Sequence, residues 1–448
     1  MNPLRKLLTW SDRYHWLWLT LAAPLMLFPS PKRSLAMLVV PGIWAVAWLV
    51  SRHPERKSGG TLLGTVPLPV TALNSSILLI AIMVLVSTWA TYDIAFSLAK
   101  ISGIVLGLGI FYAVVRESER PRGWWWSLLL FLGLGMGVAG LGLLGTNWFQ
   151  WKISLFNPIT SRIPNLVGGL QGAENGFHPN EIAGALSWTL PLMMTLCFSP
   201  LLKIRSGRWV VRAIIWLSTL FMGGVFILTQ SRTAYLALAS AALVMFWLAL
   251  PGKARWALIG LLVAVGVAGS IWLSGERITQ GMDWLTGNAV LSEQAFSLNS
   301  LESRLEVWSR AIYGLQDFPF TGMGMNTFRE VVHVLYPLFM IAPDVDMGHA
   351  HNEFLQAGLD LGIPGMIGFI ALYIGAFWML ARVWFAGHRS SVLSRPMALG
   401  LGGGLFAHML YGMTDAVALG AKPGFLFWML LGLIAGLYQQ VLSASVEQ

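Results

Sequence analysis

Charge is what this chain has least of. Asp, Glu, Lys and Arg together make up 11% of its 448 residues, against about 25% in a typical soluble domain. Acids are the scarcer sign, with 20 Asp and Glu against 29 Lys and Arg, a net charge of +9. So few charges cannot cover a water-facing surface, which excludes a soluble enzyme and a disordered chain. There is one cysteine, Cys197, so a disulfide scaffold is excluded as well. Internal repeats and low-complexity tracts are lacking. What remains is apolar bulk: 56% hydrophobic residues, including 22 Trp and 23 Phe. The main solvent of such a chain is lipid.

A helix crossing about 30 Å of hydrocarbon needs roughly 20 apolar residues, because its backbone groups must be satisfied internally. Twelve runs fit, near 14–30, 35–51, 72–92, 97–115, 124–145, 182–202, 213–230, 233–250, 256–274, 362–385, 398–415 and 423–440. The first is short, contains Pro24 and follows a basic start, as a signal peptide does. With eleven runs downstream it is read as a first helix. With the N-terminus inside, eighteen of the 29 basic residues fall in inner loops, among them Arg52, Arg116, Arg205 and Arg389. Positive charge favours the cytoplasmic side of short loops. The basic excess is therefore loop charge rather than a nucleic-acid footprint. The expectation is an all-α polytopic membrane protein of about twelve transmembrane helices, a single integral membrane domain over 1–448 with both termini in the cytoplasm. Two outer segments, about 146–181 and about 275–361, are too long for simple turns. The second is expected to be a long, partly helical outer loop, the kind of segment that tends to carry function.

Polar groups are expensive in so apolar a chain, and three clusters fall on the outer face. Gln230-Ser231-Arg232-Thr233 puts an arginine in a tight outer turn, against the charge bias. It is either a snorkelling or capping residue or an anion clamp, since a guanidinium presents a planar fork to phosphate oxygens. Gly176-Phe177-His178-Pro179-Asn180-Glu181 precedes a span; it is a helix start, with His178 or Asn180 as candidate substrate contacts. His349-Ala350-His351-Asn352-Glu353 ends the long loop. A histidine there can take a proton near neutral pH, and a helix N-terminus would favour its neutral form. Asn352 or Glu353 is a candidate to orient the imidazole.

Two further patterns lie in the long loop. Asp344 and Asp346 form a D-x-D, which with His349 and His351 offers a mixed oxygen and nitrogen metal site. The pattern is common, and no metal is expected. Leu301, Leu305, Trp308, Ile312 and Leu315 follow one helical face, as in an interfacial helix lying on the bilayer. Arg304 and Arg310 on other faces are candidate second phosphate contacts.

At these residues the chain resembles the bacterial O-antigen ligase and polymerase superfamily. Ligases of that family carry an arginine, three residues and a leucine, and Arg232-Thr-Ala-Tyr-Leu236 is similar. They also carry His-Asn, nine residues, Gly, two residues and Gly; His351-Asn352, Gly362 and Gly365 stand at those spacings. The resemblance implies transfer of a glycan from undecaprenyl pyrophosphate to a hydroxyl of lipid A-core, at the periplasmic face of the bacterial inner membrane. It implies His351 and Arg232 as the essential pair. His178, Asn180, Arg304, Arg310, His349 and Asn352 are expected to contact substrate. A lipid-linked donor carries its own leaving group, so no cofactor, nucleotide or nucleic-acid partner is expected. The alternatives are an O-antigen polymerase, a protein O-oligosaccharyltransferase and, from another class, a polyprenyl-linked glycan transporter. A transporter would carry its polar groups midway across the bilayer; here they gather at one face.

Overall fold

The structure is a computed structural model that describes residues 3–51, 68–148, 156–167, 176–199, 208–272, 301–342, 345–390 and 393–446. Among these residues it is all-helical, with no strand. The chain opens with α1 (Pro3–Arg13), α2 (His15–Leu27) and α3 (Val39–Ser51). Next come α4 (Asn74–Ala90), α5 (Ile94–Ser118), α6 (Gly123–Gly145) and the single turn α7 (Asn157–Thr160). Then follow α8 (Pro179–Phe198), α9 (Arg208–Leu228), α10 (Arg232–Ala249) and α11 (Gly252–Trp272). The long loop contributes α12 (Leu301–Asp317) and α13 (Thr327–Leu335). Three helices complete the bundle: α14 (Glu353–Ser390), α15 (Ser394–Gly412) and α16 (Phe425–Val446).

Every one of the twelve apolar runs falls on a helix. Seven helices among the described residues are long and apolar enough to cross a membrane, and three shorter apolar ones accompany them. This is an all-α polytopic membrane protein. Its core runs through the middle of the bundle, where Trp188, Phe369, Tyr411, Phe427 and Trp428 are all fully buried. α8, α15 and α16 are the most interior helices among the described residues. Small residues let neighbouring backbones approach α15: a side-chain carbon at Gly404 would collide with the Trp188 carbonyl of α8.

α14 starts nine residues earlier than the hydropathy suggests. Asn352 caps it, its Oδ1 accepting from the Phe354 and Leu355 amides at 3.0 Å each, which satisfies donors that a helix start leaves open. The helix then kinks at Gly362, whose φ of 70° and ψ of 173° belong to a region open essentially to glycine alone. The kink frees the Ile363 amide to donate to the Pro319 carbonyl at 2.7 Å. A side-chain carbon at Gly362 would collide with the Phe320 carbonyl. The first glycine of the spaced motif therefore docks the long loop onto α14.

The loop has a small core of its own, with Val307, Ala311, Phe328, Val332, Met347 and Ala350 buried together. α12 turns a different stripe inward from the apolar one named above. Ser303, Val307 and Ala311 are buried, whereas Leu305 and Ile312 are 51% and 45% exposed. The small-residue stripe turns inward because it allows close packing on α14; the bulkier stripe stays outside. A buried polar ladder ties the loop to the bundle. Lys100 Nζ on α5 meets Asp360 Oδ2 at 2.6 Å, and Asp360 Oδ1 accepts from Gln356 Nε2 at 2.8 Å and from the Asn326 amide at 3.0 Å. Gln356 Oε1 in turn accepts from the Ala350 amide at 2.8 Å, one residue before His351.

Candidate functional site

Two non-glycine residues at the motif positions have left-handed backbone: Gln230 with φ 52° and His351 with φ 48°. Such geometry costs about 1–3 kcal/mol and persists where the surroundings impose it. At Gln230 it makes the sharp turn from α9 into α10, so that Arg232 is the first residue of α10. At His351 it turns the chain into the Asn352 cap. Trp308 Nε1 of α12 donates to the His351 carbonyl at 3.2 Å, and this holds the turn from the other side.

The His351 side chain is only half-buried, yet both of its ring nitrogens are sealed from solvent and meet no hydrogen-bond partner. Burial holds its pKa down, to about 3; the Arg304 charge, and that of His349 or His178 whenever either is protonated, adds to the effect, and Asp415 opposes it. The imidazole is therefore neutral, with an open lone pair. Desolvation is the largest cause, ahead of the nearby cations.

His349 lies against it, with ring centroids 4.4 Å apart at an interplanar angle of 63°. Its Nδ1 accepts from the His351 backbone N–H at 3.1 Å, so its Nε2 carries the proton and faces Asp415 Oδ1 at 3.1 Å. Asp415 Oδ1 also accepts from the Ala416 amide at 2.9 Å, and its Oδ2 lies 2.7 Å from the Tyr411 hydroxyl. That hydroxyl lies equally close to the Asn180 carbonyl. Asp415 itself is buried.

The two candidate arginines of α12 part company. Successive residues turn by about 100°, so Arg304 and Trp308 lie within about 40° of each other, and Arg310 points about 160° from Trp308. Arg304 accordingly faces the site. It acts electrostatically on His351 and on Arg232, and its Nε is buried with no partner. Arg310 is engaged elsewhere: Nε donates to the Pro337 carbonyl at 2.8 Å, Nη2 pairs with Glu306, and the guanidinium covers the Tyr313 and Phe339 rings. His178 caps α8, its Nδ1 accepting from the Asn180 amide at 3.3 Å, while remaining exposed and within electrostatic reach of His351. Asn352 is the cap of α14, and its Nδ2 donates to the Met413 carbonyl at 3.1 Å. Glu353 turns away from His351 to pair with His408 at 3.1 Å.

His349, His351 and Asp415 present ligand atoms within 4.8 Å of one another, a set able to hold a cation. The surroundings fit one poorly. Both ring nitrogens of His349 are already engaged, and Arg304 adds positive charge beside the cluster. Asp344 lies outside the described residues. Asp346 is bound by Arg329, from Nε at 2.6 Å and from Nη2, and accepts from the Gly348 amide at 3.1 Å.

The motifs do not announce Asp415, Tyr411 and His408, each a single polar residue within or just after an apolar run. The cost of an isolated acid in such a setting is the signal that marks Asp415.

The fold and this cluster define a polytopic membrane protein with histidines, an arginine and a buried acid gathered where the long loop meets the bundle. Residues 217–370 match the family model described as O-antigen ligase. That match supports membership of the O-antigen ligase and polymerase superfamily and indicates ligase- or polymerase-type activity. The matched segment contains Arg232, Arg304, His349, His351, Gly362 and Gly365 and ends before Tyr411 and Asp415. No curated protein matches the chain.

Proposed function

We propose that this protein is a lipid-linked glycan ligase. It moves a glycan from undecaprenyl pyrophosphate to a hydroxyl of lipid A-core, at the periplasmic face of the inner membrane. What carries this reading is the neutral His351 ring, with unpartnered nitrogens beside Arg304.

The acceptor oxygen attacks the anomeric carbon while its proton passes to a His351 ring nitrogen. The bond from that carbon to the pyrophosphate oxygen breaks, and undecaprenyl pyrophosphate leaves with the electron pair. Direct displacement inverts the anomeric configuration. Proton acceptance by a positioned side chain contributes about 10²–10⁴-fold. Arg304 and Arg232 stabilise the charge that develops on the leaving group; preorganised cations in a dry site are worth far more than in water. His349, fixed by Asp415, buttresses the His351 ring and its backbone. His178 and Asn180 at the start of α8 are substrate contacts, whereas Arg310 and Asn352 support the loop and the helix. The lipid tail stays in the bilayer and enters between helices.

The test is purified protein with lipid-linked glycan and lipid A-core acceptor. His351→Ala abolishes transfer and leaves donor binding intact; retained turnover would remove His351 as the base. One glycan block per acceptor marks a ligase. Lengthening of the lipid-linked glycan would mark a polymerase, and flux without a new covalent bond a transporter.

A further inference from the structure

Below the candidate site lies a second buried pair that the reaction does not use. Glu353 and His408 are 2% and 0% exposed. His408 Nε2 lies 3.1 Å from Glu353 Oε2, so one proton is shared between them, and His408 Nδ1 donates to the Gly184 carbonyl at 3.2 Å. The imidazole is stacked on Trp188, with centroids 4.1 Å apart. The other Glu353 oxygen, Oε1, accepts from the Ala418 amide. Gly412 makes room for this carboxylate: a side-chain carbon there would stand 2.6 Å from Glu353 Oε2.

Glu353 also has a neighbour with a matching task. Asn352 donates from Nδ2 to the Met413 carbonyl. Two consecutive side chains at the start of α14 thus hold both ends of the segment 413–418. Asp415 sits between those ends, facing His349. α15 ends at Gly412, so beyond it no helix supplies an acceptor for the Ala418 amide. Well-packed apolar residues usually serve stability as well as a buried ionic pair does. What they lack is that acceptor.

We propose that Glu353 and His408 are positioning residues, which set the segment 413–418 so that Asp415 meets His349 and His349 in turn fixes His351. This rests on the reading of His351 as the base. Glu353 touches neither donor nor acceptor and acts through Asp415.

The experiment is a kinetic cycle on the full chain in detergent or lipid, with hydrogen exchange of the peptide that contains Ala418. Misplacing a catalytic group by about 1 Å costs on the order of 10²-fold. Glu353→Ala is expected to lower kcat by up to that factor with the donor KM unchanged, and to speed exchange at Ala418. Glu353→Gln keeps an oxygen for the Ala418 amide and regains most of the lost turnover and protection. Asp415→Ala slows turnover, and adding Glu353→Ala to it causes no further loss, because the two act through one contact. Gly412→Ala, which displaces the carboxylate without removing it, resembles Glu353→Ala. Additive losses in the double variant, or a Glu353→Gln variant as slow as Glu353→Ala, would overturn the inference alone. Wild-type turnover in Asp415→Ala or His351→Ala would overturn the reading of the site itself, and the inference with it.

Discussion

Lys100→Met probes how the long loop is held over the bundle. The substitution keeps the apolar stem of the side chain, one atom shorter, and removes its charge, which leaves the Asp360 carboxylate without its cation. Asp360 is 2% exposed, and breaking a buried pair by removing one partner costs about 3–5 kcal/mol. Two features reduce that figure. The Lys100 side chain is 16% exposed, so water reaches the site, and the carboxylate keeps two donors, Gln356 Nε2 and the Asn326 amide. The expected loss is about 2 kcal/mol, in the range of an unpaired buried polar group. Asp360→Asn removes the other charge, and the double variant leaves no stranded ion. The sum of the two single losses therefore exceeds the loss in the double variant, a coupling of about 1–2 kcal/mol. The assay is hydrogen exchange at Asn326, whose amide donates to Asp360. A loss of ~2 kcal/mol speeds exchange roughly 30-fold where local opening controls it. A Lys100→Met protein that exchanges like the wild type, or strictly additive losses, would refute the claim that this pair docks the loop.

Two further outcomes follow from the site. Burial holds His351 near a pKa of about 3, below its ordinary value of about 6.5, so the folded protein stays neutral there while the unfolded chain takes up a proton. The stability this gives is complete above pH 6.5 and is lost as pH falls towards 3. Unfolding followed from pH 7 to pH 4 should show that loss, and His351→Gln should lessen it; equal acid sensitivity in both proteins contradicts the burial. Arg304→Ala should lower kcat/KM for the lipid-linked donor by tenfold or more, whereas Arg310→Ala leaves the kinetics within about threefold and loosens the loop. Donor kinetics for the two variants decide between them, and the reverse order would show that the face of α12 is misassigned.

How much of this was written in the sequence depends on whether the signal is local. The spanning helices are legible because each is a long apolar run, and lipid leaves a backbone few other options. His351 and Arg232 stood out because polar groups are costly in such surroundings. Division of labour within a cluster was not legible. Asn352 and Glu353 both read as partners for the imidazole; one caps α14 and the other turns down to His408. Helical spacing separates Arg304 from Arg310 by about 120°, so they cannot face the same point. Which one turns inward is decided by the Trp308 contact with His351. The inward stripe of α12, Ser303, Val307 and Ala311, is not legible because it is less hydrophobic than the one beside it. Asp415 stands 64 residues beyond His351, and only folding brings them together.

A base whose pKa is about 3 is a weak one, and that weakness has an electrostatic remedy in the proposed reaction. Burial comes first among its causes, but the Arg304 charge also opposes a proton on His351. A pyrophosphate held by Arg304 and Arg232 would bring negative charge beside the same ring. There it offsets the Arg304 charge that acts on the ring, and an opposite charge within about 4–6 Å favours the protonated form. His351 thus becomes a better proton acceptor once the donor is in place. The leaving group and the base are coupled through Arg304, which would hold the pyrophosphate and which opposes a proton on the imidazole without it. An acceptor hydroxyl, or water, that reaches the empty site meets a ring reluctant to take its proton. Donor binding removes part of that restraint at the moment an anomeric carbon is present to be attacked.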